Sequence, residues 1–121
     1  MTLIIDTNNR SKIELGLYGE GVLSCFVFNT EKQSEDLVVA IEGVLRKEKL
    51  SLQDIDSILV NQGPGSFTGV RVGVTVANTL GWSLDKPVFG FKDGEQDLAL
   101  KKLSTSKISK FSKIVLPYYS R

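Results

Sequence analysis

Small residues recur every four positions along one segment: Gly69, Gly73, Ala77 and Gly81. In a helix that spacing lays them in one nearly continuous stripe. Glycine inside a helix costs about 1 kcal/mol relative to alanine. Glycines on one helix face therefore imply a neighbour that comes closer than ordinary side chains permit. Val72, Val76 and Leu80 form an adjacent apolar stripe, and Val70 and Val74 lie on another flank. A helix apolar over so much of its girth is buried on more than one side. The neighbours are the chain's own sheet and first helix, or a second chain, and the two readings are compatible.

The stripe belongs to a longer run, NQGPGSFTGVRVGVTVANTL, residues 61–80. It follows an apolar strand-like segment and leads into the helix. Backbone N–H groups ahead of a helix N-terminus make an anion site physically easy. The run nevertheless lacks a lysine after Gly69, so it is no P-loop. It also misses the G-x-G-x-x-G spacing of a dinucleotide site, and only Asp85 stands near the place of a ribose-binding carboxylate. The motif favours a tight strand-to-helix turn over a phosphate cradle.

Around this run the hydrophobic period changes in a definite order. TLIID reads as a short strand ending at Asp6, and NNRS is turn chemistry. KIELGLYG alternates, with Ile13, Leu15 and Leu17 on one face, and VLSCFVFN is a third strand. Cys25 inside it reads as a small buried hydrophobe. From Ser34 the period becomes helical: Leu37, Ala40, Ile41, Val44 and Leu45 recur on one face. Ser34 is the expected N-cap, Glu35 and Asp36 suit the positive helix end, and Arg46, Lys47 and Lys49 suit the negative one. DIDSILVNQ is a strand, residues 70–84 a helix, and KPVFGF a further strand. The order βββαβαβ predicts an α/β domain with a mixed sheet covered by helices. Residues 93–104 form a short helix in this reading, residues 105–113 a polar loop and IVLPYY a terminal strand.

Composition narrows the chemistry. There is no histidine and one cysteine in 121 residues, which excludes a histidine general base, a Ser-His-Asp triad and most zinc or iron sites. No acidic cluster has metal-ligand spacing, and no apolar run is long enough to span a bilayer. The cytoplasm is the expected compartment. Net charge is +1 but unevenly spread. Residues 1–91 carry 8 basic and 11 acidic side chains, and residues 92–121 carry 7 and 3. A solvated lysine-rich surface is the plainer explanation of that basic end.

The run GPGSFTGVRVG, comprising Gly63, Pro64, Gly65, Ser66, Phe67, Thr68, Gly69 and Arg71 with the helix behind it, closely resembles the signature loop and helix of the TsaB (YeaZ) family. LIIDT, QSEDLVVAIEGVL and DIDSILVNQGPGS match the family's order, and Pro117, Tyr119 and Arg121 resemble its terminal P-x-Y-x-R. The resemblance implies an actin/Hsp70-like, RNase H-like (ASKHA) βββαβαβ subdomain over residues 1–91. Residues 92–121 become a short remnant (helix, basic loop, terminal strand) packed on the same domain. The resemblance further implies a non-catalytic subunit in synthesis of N6-threonylcarbamoyladenosine (t6A) at A37 of ANN-decoding tRNAs. Its implied partners are a TsaD-type catalytic subunit and a TsaE-type ATPase, with a homodimer when alone and tRNA only through the complex. No cofactor, metal or membrane is implied. The expected interface is the pair of long helices, through Leu37, Ala40, Ile41, Val44, Gly69, Val70, Gly73, Val74, Ala77 and Gly81.

Two departures accompany the match. Gln33-Ser34-Glu35 stands where family members commonly carry His-Ser-Glu, and the chain is too short for a second full subdomain. A homodimeric scaffold without t6A activity, or a small nucleotide-binding or ATPase domain, are the alternatives.

Overall fold

The computed structural model describes residues 1–105. Its first half is the expected meander: β1 (Thr2–Asp6), β2 (Lys12–Gly19) and β3 (Val22–Asn29). Helix α1 (Gln33–Lys47) follows, then β4 (Ser57–Asn61), α2 (Phe67–Leu84), β5 (Val88–Phe91) and α3 (Gln96–Thr105). The five strands form one sheet in the order β3-β2-β1-β4-β5. β2 is antiparallel to both β1 and β3, whereas β1–β4 and β4–β5 are parallel. Each parallel step is bridged by a helix, as a parallel connection requires.

The strand alternation sorts the sheet into two faces. Leu3 and Ile5 of β1, Ile13, Leu15 and Leu17 of β2, and Ile58 and Val60 of β4 face α1 and α2 in the main core. The opposite face holds a smaller cluster of Ile4, Leu59 and Phe91, covered by Leu100 of α3, with Tyr18, Ala99 and Leu103 beside it. A one-residue slip of register would move every one of these side chains to the other face, so the two clusters fix the pairing.

Three local expectations change. The helix expected to open at Ser34 begins at Gln33, and no side chain caps it. The Thr30 hydroxyl organises the entry instead: it accepts from the Lys32 N–H at 2.9 Å and donates to Asp36 Oδ2 at 2.6 Å. The helix expected over residues 70–84 starts at Phe67, with Ser66 as its N-cap accepting from the Gly69 N–H. It ends at Asp85 in the left-handed region (φ 55°), with the Lys86 N–H closing on the Gly81 carbonyl at 2.9 Å. Cys25, expected to be buried, is exposed. It lies on the sheet's second face in β3, the edge strand, where no described helix covers it. The polar loop and terminal strand expected beyond residue 105 lie outside the described residues.

Candidate functional site

The glycine run is shaped around the turn that leaves β1. Asn61, at the end of β4, is buried; its side-chain oxygen accepts from the Gly63 N–H at 2.8 Å and its amide donates to Asp93 at 3.0 Å. Gly63 has φ 89°, a conformation glycine takes without strain, and its peptide bond to Pro64 is cis. The loop then meets Asn8. A side chain at Gly65 would fall inside the Asn8 carboxamide. The Ser66 N–H donates to both the Asn8 main-chain oxygen and its Oδ1, each at 3.1 Å.

The small stripe of α2 has the same explanation. A Cβ on Gly73 would collide with the Thr7 hydroxyl, and one on Gly69 with the Thr7 carbonyl. The Thr7 hydroxyl, 1% exposed, donates to the Gly69 carbonyl at 2.5 Å. At the far end of the helix, Gly81 sits against Val88 of β5. The neighbours that the glycines admit are therefore the chain's own: the end of β1, β5 and, at Gly69, the Gln33 side chain of α1. Gly73, one of the expected interface residues, faces Thr7 and Ile5.

Gln33 closes the arrangement, a role that the sequence reading did not assign. Its carboxamide nitrogen donates toward the carbonyls of Lys12 at 2.6 Å, Asn9 at 2.7 Å and Thr7 at 3.2 Å. Two amide protons serve three acceptors, so the long contact is shared. The position where the family commonly has histidine thus ties the start of α1 to the whole 7–12 turn. Nothing in the polar segment QSED marks it as buried.

The expected interface residues are brought together, but inward. Leu37, Ala40, Ile41 and Val44 of α1 and Gly69, Val70, Gly73, Val74, Ala77 and Gly81 of α2 are all buried. They fill the chain's own core, so in this structure none offers its side chain to a second molecule. The apolar side chains that the two helices leave in solvent are others: Val38 and Val39 on α1, Phe67 and Trp82 on α2, with Trp82 85% exposed. In the signature loop, Phe67 and Thr68 are exposed, and the Arg71 guanidinium stands 5.6 Å from the Phe67 ring. Between the N-terminal ends of α1 and α2 lies an open groove of about 590 Å³, lined by Arg10, Lys32, Ser34, Phe67 and Thr68 among others. Among the described residues no group of three or more acidic or cysteine side chains could hold a metal, and no helix is long and apolar enough to cross a membrane.

A family model described as "TsaD: tRNA N6-adenosine threonylcarbamoyltransferase" matches residues 27–111. The chain belongs to the TsaD family. Within it, the chain is TsaB (YeaZ)-like. It is 39% identical over 87 residues to a tRNA threonylcarbamoyladenosine biosynthesis protein TsaB of Bacillus subtilis, an alignment covering 71% of this chain and 38% of that protein. Against the Escherichia coli protein of the same name the identity is 29% over 89 residues, 73% of this chain and 38% of the relative. A solved YeaZ structure from Pseudomonas aeruginosa superposes with a TM-score of 0.71 at 26% identity, covering 86% of this chain and 50% of that one. Thermus thermophilus RuvC, at 13% identity and a TM-score of 0.50, shares the fold. The chain spans about two fifths of the length of these curated TsaB relatives.

Proposed function

We propose that the chain is a non-catalytic partner subunit of the t6A machinery, acting through a TsaD-type catalytic subunit that transfers the threonylcarbamoyl group to A37 of ANN-decoding tRNAs. The observation that carries this reading is the filled signature loop. Asn8 and Thr7 occupy the space beside Gly65, Gly69 and Gly73, and the N–H groups of Gly63, Ser66 and Gly69 donate to the chain's own oxygens. A run that resembles a phosphate cradle is committed to holding β1 and α2 together. That supports a binding role over phosphate chemistry. The relatives' role in t6A synthesis supports the pathway.

The partner surface in this proposal is the outer side of α1 and α2. Val39 and Trp82 supply apolar anchors, 66% and 85% exposed. Arg10 and Lys32 line the groove between the helix N-termini beside Glu31, and the helix dipoles favour negative charge there. When the chain is alone the same side pairs two copies, and a TsaE-type ATPase joins after TsaD. The compartment is the cytoplasm, and tRNA is met through the complex.

Sedimentation of the chain with a TsaD-type subunit tests the surface. Trp82→Glu and Val39→Glu are expected to weaken the pair at least about tenfold each, the scale of a buried aromatic or aliphatic anchor, with unfolding midpoints unchanged. Undiminished affinity in both variants would remove α1 and α2 from the interface.

A further inference from the structure

β3, VLSCFVFN, carries no charge and no proline, the residues by which edge strands are usually guarded. It stands at the end of the sheet order, and among the described residues no strand pairs with its outer side. The register shows which main-chain groups face outward. The Thr30 N–H donates to the Ser11 carbonyl at 3.0 Å, one step beyond the pair Lys12↔Asn29. Opposite residues of an antiparallel pair alternate between exchanging both hydrogen bonds and exchanging none. The even-numbered residues of β3 therefore bond to β2, and the main-chain groups of Leu23, Cys25, Val27 and Asn29 point to the free edge. Solvent reaches apolar side chains on both faces of the strand: Val22 and Phe28 on the face that turns Phe26 to the main core, Leu23 and Val27 on the other. These four positions are symmetric about Cys25.

We propose that β3 pairs antiparallel with β3 of a second copy about a two-fold axis at Cys25, so that one sheet runs through both molecules. Three observations select a second copy in this register. First, the strand is its own complement. Run against itself about Cys25, it sets Val22 opposite Phe28 and Leu23 opposite Val27, so each exposed apolar side chain meets another on the same face. Secondly, the outward main-chain groups fall into the same pairing. Leu23 with Val27, and Cys25 with Cys25, are the pairs that exchange hydrogen bonds. Other symmetric registers lose the match: an axis at Phe26 sets Leu23 against Asn29, and one at Ser24 sets Phe28 against Glu20 and Val27 against Gly21. Thirdly, the strand is uncharged and the chain carries a net charge of only +1, so two copies approach without strong repulsion. The two-fold axis closes the assembly and leaves no second free β3 edge. This seam uses neither Val39 nor Trp82 and does not rest on the t6A reading.

Two measurements test the seam and its register. Full chains carrying Cys25→Ser with Leu23→Cys, and others carrying Cys25→Ser with Val27→Cys, are mixed in equal amounts in a glutathione redox buffer. Across the seam, positions 23 and 27 of opposite copies stand about 5.5 Å apart between Cα atoms, within the roughly 4.4–6.8 Å that a disulfide spans. Position 23 and its own copy are displaced by about 14 Å along the strand, and so are the two copies of position 27. The mixed disulfide dimer is therefore expected to exceed the two self-linked products together several-fold. A mixed product at or below the half that chance gives, or no disulfide at all, would overturn the register. In the second measurement, sedimentation equilibrium follows the reduced chain bearing Trp82→Glu, which weakens pairing through α1 and α2. It is expected still to dimerise, and added Val27→Lys should raise the dissociation constant at least about tenfold, with the unfolding midpoint unchanged. If Trp82→Glu alone leaves only monomer, or Val27→Lys changes nothing, the β3 seam is wrong while pairing through the helices stands untouched.

Discussion

Replacing Gly73 by alanine separates a sheet-facing stripe from a partner-facing one. On an exposed helix position the substitution would stabilise the chain by about 1 kcal/mol through helix propensity. Here the new methyl group lands on the Thr7 hydroxyl, with Ile5 Cγ2 3.5 Å away. Thr7 is 1% exposed and donates to the Gly69 carbonyl, so it cannot swing into water. Losing a buried hydrogen bond costs about 1–3 kcal/mol, and overpacking a close-packed site costs about 1–3 kcal/mol more. After the propensity gain, a net destabilisation of about 1–5 kcal/mol remains. Urea unfolding followed by far-UV circular dichroism measures it. Thr7→Ala in the same protein supplies the control, because it removes the hydroxyl the methyl strikes. Gly73→Ala should then cost less in the Thr7→Ala background, by more than the roughly 0.5 kcal/mol within which independent sites add. A neutral or stabilising Gly73→Ala, or an additive cycle, would refute the assignment of the stripe to β1.

Gln33→Ala should destabilise the chain by about 1–3 kcal/mol, because it removes the amide donor to the carbonyls of Lys12 and Asn9, of which Asn9 keeps the Lys12 N–H; loss below about 0.5 kcal/mol in the same urea assay would show that the 7–12 turn holds itself. Calorimetry of the chain alone should give no tight ATP binding, since the N–H groups of Gly63, Ser66 and Gly69 are engaged internally; low-micromolar affinity would contradict this and make Ser66 and Thr68 the residues to change. Filter binding should show weak tRNA affinity at physiological salt, falling steeply as salt rises, because the lysines offer phosphate contacts only; tight binding that disappears when residues 101–113 are charge-neutralised would make the chain an RNA-binding subunit.

The fold was legible wherever a side chain's place follows from its own neighbours in sequence. The alternation of Ile13, Leu15 and Leu17 and the helical spacing of Leu37, Ile41 and Val44 each name an element and its buried face, and the structure has them so. The glycine stripe was legible as a demand for close approach, but not as to what approaches. Thr7 and Asn8 lie about sixty positions away in sequence, and no local period links the turn chemistry of DTNN to GPGSFTG. The same limit explains Cys25: an uncharged strand reads as buried, and only the sheet order shows that β3 is an edge. Gln33 was hidden for the opposite reason. A glutamine among serine, glutamate and aspartate looks like solvated surface until three carbonyls converge on it. The expected interface residues were chosen for apolar periodicity, which marks what the chain buries in itself. Exposed apolar side chains such as Trp82 and Val39 lie off that period, and local sequence does not mark them as exposed.

The most direct test of the central claim is t6A formation in vitro. A TsaD-type subunit, a TsaE-type ATPase, tRNA that decodes ANN codons and a source of threonylcarbamoyl-adenylate are combined, with this chain added or withheld, and modified adenosine is counted by mass spectrometry. t6A is expected to accumulate only when the chain is present, and Trp82→Glu to lower the yield while leaving the chain folded. Equal t6A with and without the chain, under conditions where a full-length TsaB restores synthesis, would contradict it.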